Sequence, residues 1–135
     1  MRKEHVVKNP RKKDDIEFEI GFYEAILRRV PGFIEALAII GDLYTKTGHW
    51  QKGLDIDLRL IKLRPQDPIV QYNLACSYAL LNQTRPALTA LSKAVELGYD
   101  DFAHLRADAD LENLFKDEHI KAYIWELENK KSKKS

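Results

Sequence analysis

The sequence predicts an all-α protein built from stacked helix pairs, and three features carry that prediction. Sliding the chain against itself gives a clear match at an offset of 34 residues, the mark of a repeated supersecondary unit. Apolar residues recur at i, i+3, i+4 and i+7 through the middle of the chain, and no segment sustains the period-two alternation of a strand. Helix punctuation also falls at regular places: Gly48 after one periodic run, Asp67-Pro68 before the next, and Thr84-Arg85-Pro86 before a third.

Taken in order, residues 14–31, with Ile16, Ile20, Tyr23, Ile26, Leu27 and Pro31, fit the second helix of a unit whose first helix is missing. The repeat 34–67 opens with Ile34 to Lys46, where Leu37, Ile40, Gly41 and Tyr44 form one amphipathic face. Thr47-Gly48-His49 ends it, and Trp50 to Arg64 supplies the second helix, closed by Pro65. The repeat 68–101 begins with a helix running to about Asn82, and its second helix runs from Thr84 through Leu97. Across the offset Gly41 falls on Ala75, Gly53 on Ala87, Tyr44 on Tyr78 and Leu54 on Leu88. Small residues repeating at fixed places indicate close helix crossings. The closing segment 102–128 places Phe102, Leu105, Leu111, Leu114, Phe115, Ile120, Tyr123, Ile124 and Leu127 where they would cover the end of the stack. Six to eight helices are expected.

At these residues the chain resembles the tetratricopeptide repeat, a 34-residue helix–turn–helix unit. One unit supplies Leu37, Ile40, Gly41, Tyr44, Gly53, Asp57, Leu60 and Pro65, and the next Gln71, Leu74, Ala75, Tyr78, Ala87, Leu91, Ala94 and Tyr99. Leu37 and Gln71 stand where that family has a tryptophan, Asp57 where it has an aromatic, and Tyr99 where it has a proline. The resemblance implies a short right-handed α-solenoid of antiparallel helix pairs, capped at its C-terminal end. It also implies a concave groove lined by the first helix of each unit. The groove positions are Ala38, Ile39, Asp42, Lys46, Ile69, Tyr72, Asn73, Cys76 and Leu80, with Arg106 beside them on the closing segment. Ile39, Ile69, Tyr72 and Leu80 would form an exposed apolar row if the groove is open; the alternative is that a terminal segment covers them. Some relatives hold the carboxylate of a chaperone tail with Lys, Asn, Asn, Lys and Arg, but the matching positions here are Ala38, Asp42, Asn73, Ala103 and Ala107. Only Asn73 fits, which argues against such a ligand.

The formal charge of +1 conceals an uneven distribution. Residues 1–13 carry six basic side chains against one acid, and residues 129–135 four lysines and no acid, whereas residues 14–128 hold twelve basic against twenty acidic. The ends are expected to be basic segments outside the helical domain 14–128. The acidic body between them, with no aromatic residues interleaved among the terminal lysines, argues against nucleic acid. It favours a protein or peptide partner that is basic or amphipathic. No apolar run is long enough to span a bilayer, and no secretory signal is readable, so a cytoplasmic location without membrane insertion is expected.

Catalytic chemistry is poorly represented. The histidines His5, His49, His104 and His119 lack the spacing of a helical metal site. Asp108, Asp110 and Glu112 resemble the start of a calcium loop, but Asn113 and His119 occupy the places of its turn glycine and its glutamate. Cys76 reads as a half-exposed structural thiol. Asp57 has no cation at helical spacing, leaving Arg28 or Arg29 as partners, and Trp50 reads as a core anchor. No catalytic residue, cofactor or metal is assigned. The expected function is a non-enzymatic interaction module, or scaffold, that takes a peptide or partner helix in its groove. The alternative is a self-associating homo-oligomer, and the third reading is an accessory domain of an enzyme complex.

Overall fold

The computed structural model describes residues 12–134, and among these the chain is helical throughout, with no strand. Among the described residues seven α-helices follow one another: α1 (Lys13–Arg29), α2 (Ile34–Lys46), α3 (Trp50–Leu63), α4 (Pro68–Leu80), α5 (Thr84–Glu96), α6 (Phe102–Ala107) and α7 (Glu118–Lys134). A 3-10 segment, Ala109–Lys116, lies between α6 and α7. Each helix from α1 to α4 packs on the next in sequence, and the 3-10 segment packs on α4 and α7. None of the described helices is long and apolar enough to cross a membrane.

Local chemistry accounts for the boundaries. Asp67 caps α4 by accepting from the backbone N–H groups of Ile69 at 2.9 Å and Val70 at 3.4 Å, with Pro68 at the first turn. Gly48 ends α2 at φ +82°, a left-handed conformation in which a Cβ would be strained. Asn82 takes the corresponding place after α4 at φ 59°, a conformation that asparagine tolerates better than most side chains.

The apolar faces gather into two clusters. One joins Leu27 of α1 to Leu37, Ile40 and Tyr44 of α2 and to Ile56 and Leu60 of α3. The other joins Leu54 of α3 to α4 and α5, and then to Phe102, Leu105, Leu111, Leu114 and Ile124 of the closing segment. Helix α3 therefore buries side chains on both sides. Its approach to α2 is close at the glycines: a Cβ on Gly41 would stand 3.1 Å from Ile56 Cγ2, and one on Gly53 would stand 3.0 Å from Thr45 Oγ1, so either neighbour would have to shift. One period later Ala75 and Ala87 are completely buried, so the small residues of the 34-residue match occupy packed interior positions.

Polar contacts fasten the first helices. Tyr44 donates to Glu24 of α1 at 2.5 Å, and Arg59 of α3 donates to the carbonyl of Pro31 at 2.6 Å.

Some expectations need correction. Trp50, expected to be a core anchor, is 40 % exposed: it is the first residue of α3, and the buried side of that helix begins only at Gly53 and Leu54. Residues 109–116 form a 3-10 segment that opens on Asp108, whose side chain accepts from Asp110 N–H at 3.0 Å. Helix α7 continues through Lys134, across residues expected to be a separate basic tail, and Lys131 reaches back to donate to the carbonyl of Val95 at 3.5 Å. At the other end, most of the expected basic segment, residues 1–11, lies outside the described residues.

Gly41→Leu should overpack the α2–α3 crossing and lower stability by about 1–3 kcal/mol. Urea unfolding measures this, and an unchanged midpoint would refute the crossing geometry.

Candidate functional site

Eight of the ten expected groove residues line three adjoining hollows. The first, about 440 Å³, lies between α1 and α2 and is bounded by Ile16, Glu19, Ala38, Ile39, Asp42, Leu43, Lys46 and Thr47. The second, about 360 Å³, shares Ala38 and Asp42 with it and adds Asp57, Arg64, Asp67, Ile69, Tyr72, Asn73, Cys76, His104, Asp108 and Asp110, among others. The third, about 430 Å³, shares Ile69, Tyr72, Asn73 and His104 with the second and extends to Tyr99, Asp100 and Asp101. Leu80 and Arg106 lie outside all three. Arg106 instead pairs with Glu128 of α7 at 2.5 Å and borders a separate hollow with Phe115 and Trp125.

The expected apolar row is only partly open. Ile39 is 39 % exposed and Ile69 54 %, but Tyr72 is buried at 4 % and Leu80 is half-buried. Tyr72 is covered because the closing segment folds onto α4. Its ring stacks on Tyr99 at 4.4 Å, and its hydroxyl donates to Asp108 Oδ2 at 2.7 Å. Cys76, expected to be half-exposed, is buried as well, with its sulfur 3.7 Å from that same oxygen.

Carboxylates dominate the polar lining. Lys46 is held by Asp42 at 2.9 Å, and His104 Nε2 lies 3.4 Å from Asp108 Oδ2. Burial pushes the Asp110 carboxyl above its ordinary value, and the negative charges of Asp108 and Asp42 push it further. Burial, followed by the charges of Asp108 and Asp110, likewise raises the Cys76 thiol and keeps it protonated. Burial and donation to Asp108 raise the Tyr72 hydroxyl.

Cys76, Asp108 and Asp110 bring one ligand atom each to within 4.8 Å of one another. A metal ion there would require the thiolate, which this surrounding disfavours. It would also compete with the Tyr72 hydroxyl for Asp108. As arranged, the three groups form a hydrogen-bonded acidic floor beneath the groove.

Asp57 is buried on α3, and its partner is a neutral hydroxyl rather than Arg28 or Arg29: Ser77 of α4 donates to Asp57 Oδ2 at 2.5 Å. Burial raises its carboxyl from 3.8 to about 6, and the bond from Ser77 offsets only part of that effect. His104, Asp108 and Asp110 were not among the expected groove residues. The signal that points to them is the acidity of residues 96–118, which hold eight acidic against two basic side chains.

No protein-family model matches the chain. A stretch of 76 residues, 54 % of the chain, is 36 % identical to a chloroplastic protein of Arabidopsis thaliana. The match covers 23 % of that protein, so the chain spans about a quarter of the relative's length.

The raised Asp57 value has a definite sign. Its protonated form favours the native state, so this contribution is fully present below 3.8 and is lost as pH rises through about 6. Above that, ionised Asp57 costs about 3 kcal/mol. Asp57→Asn, which keeps an acceptor for Ser77, should gain stability relative to the native protein between those pH values and then level off. Urea unfolding across the range checks this, and a pH-independent difference would contradict it.

Proposed function

We propose that the protein is a tetratricopeptide-type interaction module that takes a basic, amphipathic peptide or partner helix along its groove. The observation that carries this reading is the continuity of the three hollows. Joined through shared residues, they run from Ile16 of α1 to Asp101 just before α6, with exposed Ile39 and Ile69 set among Asp42, Asp67, Asp108 and Asp110. Burial and, after it, the neighbouring carboxylates hold Asp110 above its ordinary value, and an incoming cation relieves the part due to those charges. Apolar side chains on the same ligand would cover the two isoleucines.

The solenoid arrangement belongs to this proposal, supported by the 34-residue recurrence and by the packing of successive helices. Catalysis is not part of this reading. The cytoplasm remains the proposed location, with the chloroplastic relative making an organelle interior the alternative that cell fractionation decides.

A helical peptide with leucines at i, i+3, i+4 and i+7 and lysines elsewhere is the probe. It should bind with an affinity that falls with salt. Asp42→Asn with Asp110→Asn should weaken binding about tenfold, and Ile69→Glu should do so without loss of helicity. A glutamate-for-lysine version of the peptide should not bind. Equal binding of both peptides, or of neither, would sink the assignment.

A further inference from the structure

Helix α1 carries a second surface, on the side away from α2. Phe18 is 77 % exposed and Phe22 53 %, the large apolar side chains that this helix leaves open. Asp14, Asp15, Gly21, Ala25, Arg28 and Arg29 are exposed on the same side. Alternating steps of four and three residues connect Asp14, Phe18, Gly21, Ala25 and Arg28, which is the spacing of a seam between two helices. A Cβ on Gly21 would meet nothing within 4 Å, so no neighbour among the described residues explains a glycine in this otherwise regular helix.

We propose that this face is the interface of a homodimer, in which α1 packs antiparallel on the same helix of a second copy. The order of residues along the seam argues for that occupant. A two-fold axis between Gly21 and Phe22 places Phe18 opposite the partner's Ala25 and Phe22 opposite the partner's Gly21. A large side chain then meets a small one in every apolar layer. The same axis sets Asp14 and Asp15, in the first turn, against the partner's Arg29 and the partner's Arg28, in the last. The stripe is thus complementary to itself in both shape and charge. A parallel pairing would set acid against acid and phenylalanine against phenylalanine. The seam is about 25 Å long, a small interface, so the dimer is concentration-dependent. It leaves the groove residues Ala38, Ile39 and Asp42 on α2 free, and it stands whether or not the groove binds peptides.

Sedimentation equilibrium of the full chain over about a hundredfold range of concentration should show a monomer–dimer equilibrium. Gly21→Leu has room within the monomer and improves helix propensity. It should leave the melting temperature unchanged or higher, while weakening the dimer at least tenfold, roughly 1.4 kcal/mol. Asp14→Lys with Asp15→Lys, and separately Arg28→Glu with Arg29→Glu, should each be monomeric, and mixing the two variants should restore a dimer. A native chain that stays monomeric throughout would overturn the proposal. So would a dimer indifferent to Gly21→Leu, which would place self-association on another face such as the groove. Charge variants that fold but fail to pair when mixed would overturn the antiparallel register.

Discussion

The close crossing of helices at positions without side chains is the constraint on which the rest of this structure depends. Gly41 and Gly53 bring α2 and α3 together, and a notional Cβ on either would press on Ile56 or Thr45 closely enough that the neighbouring side chain would have to give way. Because α3 approaches α2 so closely, Ile56 and Leu60 can reach one apolar cluster while Leu54 reaches the other. Asp57 sits between these contacts, where only the Ser77 hydroxyl on α4 is available to it. The cost of its ionisation is a consequence of the geometry that makes the two clusters share a helix.

The groove follows from the same packing combined with the fold-back of the closing segment. Phe102, Leu105, Leu111 and Leu114 bury themselves against α4 and α5, and this brings Asp108 and Asp110 over Cys76 and Tyr72. Charge that is dispersed along the sequence becomes concentrated in one concave place. The exposed face of α1 has a different origin: its inner side is filled by α2 and α3, and its outer side carries the residues of a helix that expects another helix beside it.

Most helix boundaries were legible from residues whose preferences are local. Asp67, Pro68 and Gly48 act on their own backbone or on the next turn, and α2 runs from Ile34 to Lys46 as its periodicity indicates. The small interior positions were legible too, because a 34-residue recurrence compares each site with another of the same kind. What depends on contacts distant in sequence was not. Tyr72 has the spacing of a groove residue, but its burial is decided by Tyr99 and Asp108, which lie 27 and 36 residues further on. Asp57 offers no hint of Ser77, because the pair forms between helices rather than along one. The 3-10 geometry of residues 109–116 likewise reflects docking on α4, since its apolar pattern is compatible with an ordinary helix.

The burial of Cys76 has a practical consequence. It is the chain's single cysteine, and it lies beneath the closing segment rather than at the protein surface. A thiol in that position, 6 % exposed at the floor of the groove, reacts fastest with a reagent during the moments when Asp108 and its segment lift from α4. Its labelling rate is therefore a clock for that opening, readable without introducing a probe. Ligands that lie across the groove and bridge both sides would slow the clock, and ligands that hold the segment away would quicken it.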